Sequence, residues 1–296
     1  MNSGMKRFII KVVLLLAGIV IPFCVLFELG YLPVITESGL FDSKALTSRQ
    51  KEIKHVDLMA MGSSMTMYEL NSDIMVKNFR QSYYNFACWN LQIGDSYTLL
   101  KTYIPQYKPD YLIIFSSFGD FTWPTNSSYH NYADAPALMR GRLPGLFYFK
   151  NFSAIRRVID RKQTYKVKFD NWGGAQMVYD PRNDKHKFPV FPTANTSIAY
   201  RSLDSLAAML QGEKIQLIFI QTPVRHLGAD SVTRQHYQVH FNRCRDIITR
   251  HSGIYLNYDR PAIFTADLFA DPYHLKPAGS KVLTENAVLD LKKIIK

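Results

Sequence analysis

Cysteine is scarce in this chain: three residues in 296, at positions 24, 88 and 244. Three cysteines cannot build a disulfide framework. Cys24 falls in an apolar run, which leaves Cys88 and Cys244 either to pair in an oxidising space or to stay as separate buried thiols, the expected outcome. No Cys/His cluster has zinc-ligand spacing, so a structural zinc site is excluded and no cofactor is implied. His236 and His240 stand four apart on an expected helix, a spacing that reads as a solvated helix face in preference to a metal pair. Internal repeats are missing, which excludes a solenoid. Acidic residues are in deficit, 24 against 36 Lys and Arg, for a net charge of +12. Such a balance favours anionic surfaces: nucleic acid, phospholipid heads, teichoic acid or acidic polysaccharide.

The N-terminal segment narrows that choice. Met5-Lys6-Arg7 precedes Phe8 to Phe27, an apolar stretch broken only by Lys11. About 20 apolar residues cross a bilayer as a helix. Lys6, Arg7 and Lys11 sit at its N-terminal side, which predicts a cytoplasmic N-terminus and an exported body. The run ends in Leu26-Phe27-Glu28-Leu29 with no small-x-small site, so an uncleaved anchor is expected over a signal peptide. An exported body makes nucleic acid an unsuitable partner. The expected organisation is a cytoplasmic N-terminus (1–7), a transmembrane anchor (8–29), a polar stalk (30–54) and a domain over 55–296.

With 47% hydrophobic residues, the domain can bury a substantial core. Strands are predicted at 55–61, 82–87, 110–116, 215–221 and 254–258. Tyr111-Leu112-Ile113-Ile114-Phe115 is apolar throughout, as expected for a strand covered on both faces. Helical periodicity runs over 92–106, 198–212, 232–251 and 277–294, with Pro277 suited to a first helical turn. Alternating strands and helices predict an α/β three-layer sandwich around a parallel sheet.

Two short segments more than 200 residues apart carry the chemistry. Gly62-Ser63-Ser64 closes the first expected strand, where α/β folds place reactive groups. Asp271-Pro272-Tyr273-His274-Leu275 supplies an acid and an imidazole before the last helix. A serine is a weak nucleophile until a base activates it, and the base needs an orienting group. Together the segments hold the parts of a serine acyl-transfer site.

At these residues the chain resembles the SGNH/GDSL hydrolase superfamily. Gly62-Ser63-Ser64-Met65 matches the family's nucleophile block with Ser63 in the Asp position, which makes Ser64 the aligned nucleophile. Asp271 and His274 match the family's Asp-x-x-His block, and Leu275 and Gly279 fit the residues that usually come after that block. The resemblance implies catalytic Ser64, Asp271 and His274, and a flavodoxin-like sheet. It covers roughly 54–120 and 213–296. The Gly-Ser-Ser form is also similar to membrane-anchored acyltransferases such as the lipoteichoic-acid D-alanyl transfer protein. Two family features are absent. The second block, Asn85-Phe86-Ala87-Cys88-Trp89-Asn90, has no glycine to offer an oxyanion donor. The third, Ser117-Phe118-Gly119-Asp120, lacks its Asn. Ser64 N–H and Asn90 are the candidate donors, with Asn90 as a helix cap the plainer role.

Residues 121–197 fit the family least. They read as a substrate-side insertion, rich in aromatics such as Trp123 and Trp172 and in arginines such as Arg140 and Arg156. The expected function is an extracytoplasmic serine esterase or O-acyltransferase acting on a cell-envelope polymer or its acyl ester. The resemblance further implies work beside a multi-spanning membrane acyltransferase. The competing expectation is an inactive SGNH-like envelope protein that binds a polymer or scaffolds such an enzyme.

Overall fold

The computed structural model describes residues 2–29, 31–32, 41–125, 167–177, 196–225 and 231–295. These fall into two compact units, one ending at Ile53 and the other starting at Lys54.

In the first unit, helix α1 spans Ser3–Glu28 and α2 spans Phe41–Gln50. Among the described residues α1 is the one helix long and apolar enough to cross a membrane. It starts five residues before the expected anchor. Its surface is apolar: Phe8, Leu14, Leu15 and Leu16 are all more than half exposed. Such a face has no use for water. The expected stalk holds a helix, and α2 is tied to the end of α1. Arg49 grips the Glu28 carboxylate through Nε and Nη2, and the Gln50 amide donates to Phe27 O and Leu32 O.

The second unit is built on a five-stranded parallel sheet of β1 (Leu58–Ala60), β2 (Tyr83–Asn85), β3 (Tyr111–Ser116), β6 (Gln216–Gln221) and β7 (Ile254–Asn257). Their order is β2-β1-β3-β6-β7. Each strand lies within its expected segment. Among the described residues two more strands, β4 (Val167–Phe169) and β5 (Ala175–Met177), form an antiparallel hairpin inside the expected insertion. Residues 126–166 and 178–195, with most of the insertion's aromatic and basic residues, lie outside the described residues.

Strand side chains alternate between faces. Leu58, Ala60, Ile113, Phe115, Ile218 and Ile220 join one buried cluster with Leu70, Met75, Leu283, Ala287 and Leu291. The latter come from the segment holding α3 (Ser64–Glu69) and α4 (Ser72–Asn78) and from the last helix, α8 (Pro277–Ile294). Met59, Leu112, Ile114 and Phe219 are equally buried on the opposite face. There α6 (Ser197–Gly212) and α7 (Ser231–Arg250) pack on β6, with α5 (Ile93–Tyr107) against α6. This is a three-layer α/β sandwich. Chain direction across the sheet reverses between β1 and β3, and in open α/β sheets ligands bind beyond the strand ends at that switch.

The histidines on α7 correct an expectation. His240 is not on a solvated face: it is 1% exposed and its Nδ1 pairs with Tyr200 Oη at 2.8 Å. The inward stripe of α7 is Tyr237, His240, Phe241, Cys244 and Ile248, the spacing of one helix face. Burial and the nearby Arg243 charge push the His240 pKa down to about 3, so it is a neutral core residue. Cys88 and Cys244 are separate buried thiols, with no disulfide between them.

Candidate active site

β1 delivers the chain to the switch point through Gly62, whose φ of +145° is a conformation that favours glycine. A Cβ there would stand 2.4 Å from Thr66 Oγ1. That hydroxyl is committed: it accepts the Phe115 N–H at 3.0 Å and donates toward Phe115 O (2.8 Å) and Met61 O (3.1 Å). Thr66 thus locks α3 onto β1 and β3. The second block is locked to the same turn, because Cys88 N–H donates to Gly62 O and the Asn85 amide donates to Thr66 O.

The two serines divide their work. Ser63 is 2% exposed and caps α3, its Oγ accepting the Met65 N–H at 3.1 Å. Ser64 is half-buried at the first helical position. Its Oγ lies 2.8 Å from His274 Nε2, across 210 residues of sequence. On the far side of the ring, His274 Nδ1 lies 2.7 Å from Asp271 Oδ2. The other carboxylate oxygen of Asp271 accepts the main-chain N–H of Tyr273 (2.8 Å) and of His274 (2.7 Å). A tight turn and an Asp with two jobs therefore set the imidazole. Tyr68 meets the ring edge-on, with centroids 5.9 Å apart.

Electrostatics fit the geometry. Burial opposes charge on His274, but the Asp271 carboxylate, by charge and by hydrogen bond, outweighs it, with the Glu69 and Asp120 carboxyls adding when ionised. The imidazole pKa is therefore raised above its ordinary value. Burial alone would raise the Asp271 carboxyl; His274 and the two N–H donors hold it below its usual value instead.

The oxyanion candidates lie apart from this relay in character. Asn90 occupies an exposed turn with φ +50°. It stands where the family has a glycine, and Asn is the side chain that best tolerates this region. Its Oδ1 accepts from Gln92 Nε2 at 3.1 Å. Asn90 is not the cap of α5: Gln92 is, with its N–H donating to Asp95 Oδ2 at 2.9 Å. In the third block Gly119 stands where the family has Asn. Asp120 is buried, its Oδ2 accepting Ser116 Oγ–H (2.8 Å) and Ser117 N–H (3.0 Å). Reading the sequence missed Thr66, Tyr68 and Glu69, since their roles rest on contacts with β3, the His274 ring and the Leu275 N–H. Among the described residues no group of three or more His, Cys, Asp and Glu is placed to hold a metal.

No protein-family model matches the chain, and no curated protein matches it. Solved structures similar to it include proteins described as acylhydrolases, lipases and esterases. They include a lipase/acylhydrolase from Enterococcus faecalis, at 14% identity and TM-score 0.45, covering 81% of this chain and 97% of that one. A GDSL-like lipase from Bacteroides thetaiotaomicron VPI-5482 shares 12% identity at TM-score 0.44, covering 86% and 100%. A catalytic mutant of an acetylxylan esterase from Geobacillus stearothermophilus shares 9% identity at TM-score 0.44, covering 80% and 94%.

Proposed function

We propose that this chain is a membrane-anchored, extracytoplasmic serine esterase or O-acyltransferase of SGNH type, acting on a cell-envelope polymer or its acyl ester. The observation that carries the reading is the continuous relay from Ser64 Oγ through both nitrogens of His274 to Asp271. Ser64 Oγ attacks the carbonyl carbon of an acyl ester while its proton passes to His274 Nε2. Asp271 holds the Nδ1 proton in place and stabilises the imidazolium. His274 then protonates the leaving oxygen as the ester C–O bond breaks, leaving an acyl-serine. Water or a polymer hydroxyl attacks this in turn, giving its proton to Nε2, from which it returns to Ser64 Oγ. The Ser64 N–H and Asn90 serve the oxyanion.

The apolar surface of α1 and the +12 charge support an envelope setting with anionic neighbours. Lys6, Arg7 and Lys11 favour an exported body, and a multi-spanning membrane acyltransferase is the partner the family resemblance suggests. The missing third-block Asn favours the competing reading, a non-catalytic envelope protein. A fluorophosphonate probe on the full chain in membranes separates them. Label on Ser64 that survives Ser63→Ala and is lost in Ser64→Ala is expected, and an unlabelled wild type would leave the non-catalytic reading standing. Alkaline phosphatase fused after Lys296 should be active in the membrane fraction; an inactive fusion would reverse the topology.

A further inference from the structure

The helix that begins with the nucleophile ends at the acid–base loop. α3 starts at Ser64 and ends at Glu69. Glu69 is 0% exposed, and its Oε1 accepts the main-chain N–H of Leu275, the residue after His274, at 2.8 Å. Its Oε2 is buried with no hydrogen-bond partner among the described residues. A carboxyl placed this way is a costly filler, since an apolar side chain of similar volume would occupy the space without desolvating a polar group.

The charged groups that face it are His274 and Asp271, both on the acid–base loop. From α8 come the hydroxyls of Ser280 and Thr284, which are engaged elsewhere. Ser280 donates to Tyr68 O (2.7 Å) and Thr284 to Glu69 O (2.8 Å). They satisfy the last carbonyls of α3 and fix where the Glu69 side chain starts. The side chain then has one directional task, the Leu275 N–H.

We propose that Glu69 is a positioning residue for the triad: its hydrogen bond to Leu275 fixes the backbone that mounts Asp271 and His274 within reach of Ser64. One six-residue helix thereby sets both halves of the site, with the nucleophile at its first residue and the tether of the base at its last. Burial pushes the Glu69 carboxyl up to about 8, with His274 charge opposing. At neutral pH it is a neutral acid that still accepts through Oε1. Above that value it ionises beside Asp271, and a second negative charge makes His274 hold its proton more tightly.

The inference rests on the triad reading, so its test needs two readouts. Full-length wild type, Glu69→Gln and Glu69→Leu are compared in detergent for ester hydrolysis across pH and for the ¹⁵N signals and titration of His274. Glu69→Gln keeps an acceptor for Leu275. It should hold kcat within about threefold and lose the wild-type inflection near pH 8. Glu69→Leu orphans a buried N–H, and should lower kcat at least about tenfold with KM little changed and with altered His274 signals. Wild-type kcat and His274 signals in a folded Glu69→Leu would overturn the proposal. So would equal damage in Glu69→Gln, because the carboxyl itself would then be required. If Glu69→Leu does not fold, Glu69→Gln decides alone: retained kcat without the inflection supports, and lost kcat overturns. An inactive, unlabelled wild type would sink the catalytic reading, while the His274 signals would still judge the tether.

Discussion

Replacing Gly62 by alanine tests whether the turn that presents Ser64 needs a bare backbone. Two costs can be worked out. A non-glycine residue at φ +145° carries strain of about 1–3 kcal/mol. The new Cβ also meets Thr66 Oγ1 at 2.4 Å, so that hydroxyl must move. Moving it strips the buried Phe115 N–H of its acceptor, at about 1–3 kcal/mol. The sum is roughly 2–6 kcal/mol, a large share of a typical domain's 5–15. For a body this size that is a fall in Tm on the order of 10 °C. The assay is thermal unfolding of the full chain in detergent, with fluorophosphonate labelling of the folded fraction. A double-mutant cycle isolates the clash. In a Thr66→Ala background the hydroxyl is already gone, so Gly62→Ala should cost only the backbone strain. Additive losses, or a Gly62→Ala protein within about 1 kcal/mol of wild type, would refute this account of the turn.

Three further outcomes are expected. The proposed mechanism needs neutral His274, whose pKa is raised above its ordinary 6.5, so kcat/KM should climb with pH through an apparent pKa above that value; a rising limb below 6.5 would contradict the Asp271 contribution. Asn90→Gly should leave stability intact and turnover within about threefold, because glycine suits φ +50° and keeps the main-chain N–H. A loss on the order of 10²-fold would assign the oxyanion donor to the Asn90 amide. His240→Ala should destabilise by roughly 2–4 kcal/mol while His236→Ala changes little, and added zinc should alter neither; equal, zinc-dependent effects would restore the metal pair.

The sheet was legible because each strand announces itself locally. Ile113 and Phe115 on one face and Leu112 and Ile114 on the other are all buried, and a strand covered on both faces is written as an unbroken apolar run. The same holds for the helices after Gln92, Thr196 and Lys276. The short helices α3 and α4 were not legible, since six or seven residues are too few to show a period. The misreading of His240 has a related cause. A helix face is polar or aromatic in pattern, but the side that turns inward depends on the neighbour, here α6 with Tyr200.

Residue order alone is enough to specify an alternating α/β chain, an apolar N-terminal helix, and two blocks that hold the Ser63-Ser64 pair and the Asp271 and His274 pair. Those are properties of neighbouring residues, and period and composition record them. Which serine meets the imidazole is settled in three dimensions. Ser63 and Ser64 are adjacent and alike, yet one turns inward to cap α3 and the other outward to His274. The Asp271 loop reaches Ser64 because α8, which follows that loop, packs on α3 and α4. Glu69 belongs to the same class. Nothing in Ser64-Met65-Thr66-Met67-Tyr68-Glu69 marks the last residue as a tether, because its partner is a backbone N–H 206 positions away, and every residue but proline has one.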